Sequence, residues 1–75
     1  MPELRDVSGE AAIGALGRLG FRRVHQRGSH VVLRKDMPGG SMGCVVPLHR
    51  VLAVGTLRGI LKQAGVTAGE FLERL

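Results

Sequence analysis

Tryptophan and tyrosine are absent from this chain of 75 residues, and Phe21 and Phe71 are its only aromatics. That scarcity leaves little with which to stack unpaired bases, so any contact with nucleic acid has to run through backbone and electrostatic groups. A single cysteine, Cys44, excludes an intramolecular disulfide and any zinc site built from several thiolates at short spacing, leaving a buried structural thiol as the expectation. No apolar run approaches the roughly 20 residues that cross a bilayer, so no membrane partner is expected. The opening Met1-Pro2-Glu3-Leu4-Arg5-Asp6 lacks the basic-then-apolar order of a signal peptide, and the cytoplasm is the expected address. Acidic residues are also scarce: six Asp and Glu stand against eleven Lys and Arg, a net charge of +5.

On so small a body that charge makes a strong positive field, and an anionic partner is the first thing to look for. Nine of the cations are arginines, whose planar donor fork suits phosphate, although a GC-rich genome would produce the same bias. The composition, 44% hydrophobic and 23% charged, fits a folded chain. A length that buries only about 60% of the unfolded surface allows one core, so residues 1–75 are read as one domain.

Ser8 precedes a stretch in which Ala12, Ile13, Leu16 and Leu19 share one helical stripe and Gly20 follows as a stop, which predicts a helix over 9–19. Its glycines each cost up to about 1 kcal/mol against alanine, so tertiary packing must hold it. Alternation then predicts strands over 21–27 and 30–35, joined by the two-residue turn Gly28-Ser29. In the register such a turn fixes, Arg27 faces His30, His25 faces Val32 and Arg23 faces Arg34 on one side. Gln26 with Val31, Val24 with Leu33 and Arg22 with Lys35 take the other. One face is then apolar in its middle, and the other gathers three arginines and two histidines around Val32.

The glycine-rich stretch 36–43 reads as a hairpin loop. A phosphate cradle there is a weak alternative, because the Gly-Lys-Ser/Thr ending of a P-loop is missing. A third strand is expected over 44–49, with Pro47 marking an edge or a strand end. Leu57, Ile60, Leu61 and Ala64 repeat at helical spacing before Gly65, and Thr67-Ala68-Gly69-Glu70 matches a capping box with Val66 and Phe71 at the staple positions. The expected fold is α+β: a helix, a three-stranded antiparallel sheet, a second helix and a short C-terminal helix, with the helices on one face of the sheet. His30 then lies on the uncovered face.

Gly20-Phe21, Gly28-Ser29-His30, Val46-Pro47-Leu48-His49 and the run from Gly55-Thr56-Leu57 to Ala64-Gly65, taken together over about Ser8 to Leu75, resemble the HicA toxin family, also called YcfA-like. The uncharged 51–54 departs from members that carry Lys and Glu there. The resemblance implies a fold like the double-stranded RNA-binding domain, the activity of an mRNA-cleaving toxin, and a cognate HicB antitoxin that covers the active face. It also assigns the catalytic role to the histidine of the Gly-Ser-His turn, His30 here.

RNA brings its own nucleophile in the 2′-hydroxyl, so cleavage needs a base, an acid and cations, and a metal is optional. Imidazole, with an ordinary pKa near 6.5, serves as either base or acid, and arginine stabilises the phosphorane charge. His30 is therefore the expected general acid or base, with Arg23, Arg27, Ser29, Arg34 and His49 as RNA contacts and no metal or small-molecule cofactor. A zinc site from His25, His30 and His49 would need all three to converge. Ser29 lacks the Asp-His relay of a serine nucleophile. The competing readings are a non-catalytic RNA-binding module of the same fold and a protein-interaction domain whose basic face meets an acidic partner.

Overall fold

In the computed structural model, which describes residues 3–75, Ser8 holds an extended backbone and its hydroxyl accepts the N–H of Ala11 at 3.0 Å. This cap starts α1 (Gly9–Arg18), whose buried side carries Ala12, Ile13, Ala15 and Leu16. Gly20 then turns the chain at φ 102°, a value that suits glycine because it has no Cβ.

The sheet consists of β1 (Arg22–Arg27), β2 (His30–Met37) and β3 (Gly40–Pro47), antiparallel and in that spatial order. Gly28, at φ 59°, makes the expected tight turn, with Arg27 opposite His30. The stretch expected to form a hairpin loop is mostly strand instead. Only Pro38 and Gly39 lie between β2 and β3, with Gly39 at φ 81°, the pairing of fixed proline and left-handed glycine that a type II turn requires. Gly40, Ser41 and Gly43 continue the ladder opposite Met37, Asp36 and Arg34, because each paired backbone N–H and C=O satisfies a group that would otherwise need water. Residues 48 and 49, expected at the end of β3, leave the ladder, which stops at Pro47.

Val31 and Leu33 of β2 pair with Val46 and Cys44 of β3, and all four side chains are buried. Against this face pack α1 and α2 (Val54–Ala64); α2 buries Leu57, Ile60, Leu61 and Ala64 and ends at Gly65 in the left-handed conformation. The last helix, α3 (Ala68–Arg74), opens on the expected capping box and places Phe71 in the core, with Val66 and Leu72 packed beside it. The backbone N–H of Thr67 donates to Glu70 Oε1 at 3.0 Å and holds that carboxyl below its usual range. The cap is thus fully present above the ordinary carboxylate pKa and is lost as pH falls through the lower folded value.

Three backbone bonds tie the layers together at one end. The N–H of Gly9 donates to the carbonyl of His49 at 2.9 Å, Leu52 N–H to Val7 at 2.7 Å, and Leu48 N–H to Ser29 at 2.7 Å. Gly9 sits so close to the strap after β3 that a methyl group on it would overlap the backbone carbonyl oxygen of Pro47.

Two expectations follow. Gly9→Ala should lower the melting temperature by the equivalent of about 2 kcal/mol, the cost of forcing volume into a packed site. Gly17→Ala, where nothing lies within 4 Å of the added carbon, should raise it by up to about 1 kcal/mol; equal effects in thermal melts would contradict the close approach at Gly9. Burial pushes the Cys44 thiol up to about 11, so iodoacetamide at pH 8 should leave the native protein unlabelled and label it once urea unfolds it, as mass spectrometry would read.

Candidate functional site

Because side chains alternate along a strand, the four residues of β2 on the side opposite Val31 and Leu33 are His30, Val32, Arg34 and Asp36. Across from them on β1 stand Arg27, His25 and Arg22, and on β3 Pro47, Val45, Gly43 and Ser41. The helices cover the opposite face, so these residues, apart from the buried Pro47, form an open surface. His25, Arg27, His30, Arg34 and Arg22 are all exposed. Among the described residues the core holds no buried polar or charged residue, so their acidic and basic side chains lie outside it and the Cys44 thiol is the ionisable group within it.

Arg23, expected on this surface, is not there. A bulge between Arg23 and His25 sets Arg23 opposite Leu33 and Arg22 opposite Arg34. Arg23 therefore faces the helices, where its guanidinium binds both carboxylate oxygens of Glu10 on α1 at 3.1 and 3.2 Å. Arg22 takes its place on the open face. Val24, expected to pack opposite Leu33, is 45% exposed.

The reason lies in Phe21. Strict alternation would put it on the same side as His25 and Arg27, yet it is 5% exposed, in the core. One extra residue in β1 inverts the phase of everything before it, so Phe21 and Arg23 turn inward while His25 and Arg27 stay outward. The conflict between an inward Phe21 and an outward Arg27, six residues apart, was the available signal for the bulge.

His30 begins β2 directly after the Gly28-Ser29 turn, opposite Arg27 on one side and Pro47 on the other. No side chain among the described residues makes a hydrogen bond or ion pair with His30 or Arg27, which leaves both free to meet a ligand. Ser29 lies exposed in the turn, its carbonyl taken by Leu48. His49 is exposed one residue further on, past the end of β3. The Ser29–Leu48 bond thus places the segment carrying His49 beside the turn that carries His30. His25 is diagonal to His30, opposite Val32.

At the other end of the face, Arg22 Nη1 lies 3.1 Å from Asp36 Oδ2 and Arg34 Nε lies 3.8 Å from Asp36 Oδ1. Among the described residues no three His, Cys, Asp or Glu side chains gather as a metal site. A cavity of about 680 Å³ lies in the helix layer, lined by Leu4, Val54, Arg58, Leu61, Lys62 and Leu72 among others. None of the open-face residues lines it. No helix among the described residues is long and apolar enough to cross a membrane.

No curated protein and no solved structure matches the chain significantly. A family model does: that of the HicA toxin of bacterial toxin-antitoxin systems matches residues 9–66, from the first residue of α1 through the whole sheet to the residue after the αL cap of α2. With the helix–sheet–helix order in place and more than half of the chain covered, the chain belongs to the HicA toxin family.

Proposed function

We propose that this toxin is an endoribonuclease that cleaves mRNA in the cytoplasm without a metal, using His30 as general acid or base, and that a HicB-type antitoxin silences it by covering the open sheet face. The observation that carries this reading is the position of His30: exposed, at the first residue of β2, directly opposite Arg27, on the one face of the sheet that the helices leave bare.

The chemistry asks for two proton transfers. A base removes the proton of the 2′-hydroxyl, the 2′-oxygen bonds to the adjacent phosphorus, the bond from phosphorus to the 5′-oxygen breaks, and an acid protonates that leaving oxygen. The products carry a 2′,3′-cyclic phosphate and a 5′-hydroxyl. His30 fills one of these roles, and Arg27 offers its guanidinium to the charge that builds on the phosphorane. His25 and His49 are the other imidazoles on or beside this face and the candidates for the second role. Arg34 binds substrate on the same face. Arg23, engaged with Glu10 on the helix side, falls outside the reading.

The test is cleavage of an end-labelled single-stranded RNA in the presence of EDTA, with binding measured in parallel. The native protein should cut, and His30→Ala should lose at least about 100-fold in rate while keeping its affinity within a few-fold. Arg27→Ala should lose both rate and affinity, and Arg23→Ala should change neither appreciably. Binding without cleavage by the native protein would replace this reading with a non-catalytic RNA-binding module. Absence of any salt-dependent RNA binding would point to a protein-interaction domain.

A further inference from the structure

Read along β2, the open face has a repeating character. Its first rung is cationic and titratable, His30 with Arg27. The middle rung is largely apolar, with Val32 half-buried, Val45 41% exposed, and His25 alongside. The third rung is cationic again, Arg34 with Arg22 directly opposite and the side-chain-free Gly43 on the other flank. Two arginines facing each other across a ladder repel. Asp36, the only carboxylate among the described residues of this face, lies against both, and all three side chains remain more than half exposed. One carboxylate between two guanidinium groups leaves a net charge of +1 and unused donors on both forks, the arrangement that recognises a phosphate oxygen pair.

We infer that Arg22 and Arg34, gathered by Asp36, form a second phosphate subsite of the toxin, and that the RNA strand lies along β2 with its cleaved phosphate at His30 and Arg27. The proposal rests on the reading of this face as the RNA face and adds to it the direction of the strand and a residue, Arg22, that the bulge alone brings there. Arg34 is four residues from His30, about 13 Å along the strand. That distance is of the order of two nucleotide steps of an extended single strand, and the Val32–Val45 rung between would meet the intervening sugar and base.

The experiment measures binding of a fluorescein-labelled single-stranded RNA by anisotropy, in the His30→Ala background so that nothing is cut, over a series of salt concentrations. Adding Arg22→Ala or Arg34→Ala should weaken binding about fivefold at low salt and reduce the slope of log K against log salt by about 0.7, one phosphate contact on a single strand. Asp36→Asn removes the competing carboxylate and should tighten binding about threefold. Glu3→Gln, the same charge change on the helix side, should leave it unchanged. RNAs carrying one neutral methylphosphonate should show a position about two steps from the cleaved bond where the substitution weakens the parent and no longer weakens the Arg22→Ala protein. Equal tightening by Asp36→Asn and Glu3→Gln, or a methylphosphonate effect that persists without Arg22, would overturn the subsite and leave only a general positive field. Cleavage by the protein with His30 intact is scored separately. A loss of cleavage in all preparations with the binding pattern preserved would therefore sink the nuclease reading and not the subsite.

Discussion

The contact between Gly9 and the backbone at Pro47 and Leu48 is the constraint on which the rest of the molecule depends. It lets the first turn of α1 press directly on the end of the sheet, where the N–H of Gly9 bonds to His49 and the next segment bonds back to Val7. The same strap holds Ser29 through Leu48, so the turn that presents His30 is anchored to the helix layer by main-chain bonds. A mobile hairpin tip would leave a histidine beside a ligand only part of the time. Here the short hairpin is fixed at both of its sides, β2 to β3 by the ladder and the turn to the strap.

Burial sorts the charges as firmly as it sorts the apolar groups. The core is closed by Val31, Leu33, Cys44 and Val46 from the sheet and by Leu16, Leu57 and Phe71 from the helices, and among the described residues no polar or charged side chain is buried in it. Every arginine and histidine of β1 and β2 must then leave the core, and the bulge at Val24 decides to which side. Arg23 goes to the helix side and is neutralised by Glu10. Arg22, His25, Arg27, His30 and Arg34 go to the open side, where Asp36 is the acidic counterweight among the described residues. The chain belongs to a toxin–antitoxin family, and this bare face is the surface proposed for the antitoxin to cover.

Much of this was legible in the sequence because the signals were local. The spacing of Leu57, Ile60, Leu61 and Ala64 specifies a helix whatever surrounds it, the Thr67 to Glu70 capping box marks the start of α3, and Gly28-Ser29 sets the register at His30. The remainder depended on partners distant in sequence. Gly9 looked like a cost to its helix, and its need for a bare Cα comes from a strand end 38 positions later, at Pro47. The extension of β3 to Gly40 was hidden by Gly40 and Gly43, whose pairing is decided by β2. The bulge is the instructive case, since Phe21 and Arg27 together required a break in alternation, but nothing in the residues between them names Val24 as the place.

The central claim is that the bare face of the sheet, with His30 at its head, is the surface that meets RNA. The most direct measurement is amide chemical-shift mapping by NMR of the His30→Ala protein titrated with a short single-stranded RNA. The account predicts shifts concentrated at His25, Arg27, Val32, Arg34, Ser41 and Gly43, with α1, α2 and α3 nearly unmoved. Shifts clustered instead around Arg58 and Lys62 of α2 would place the ligand on the helix layer and contradict it.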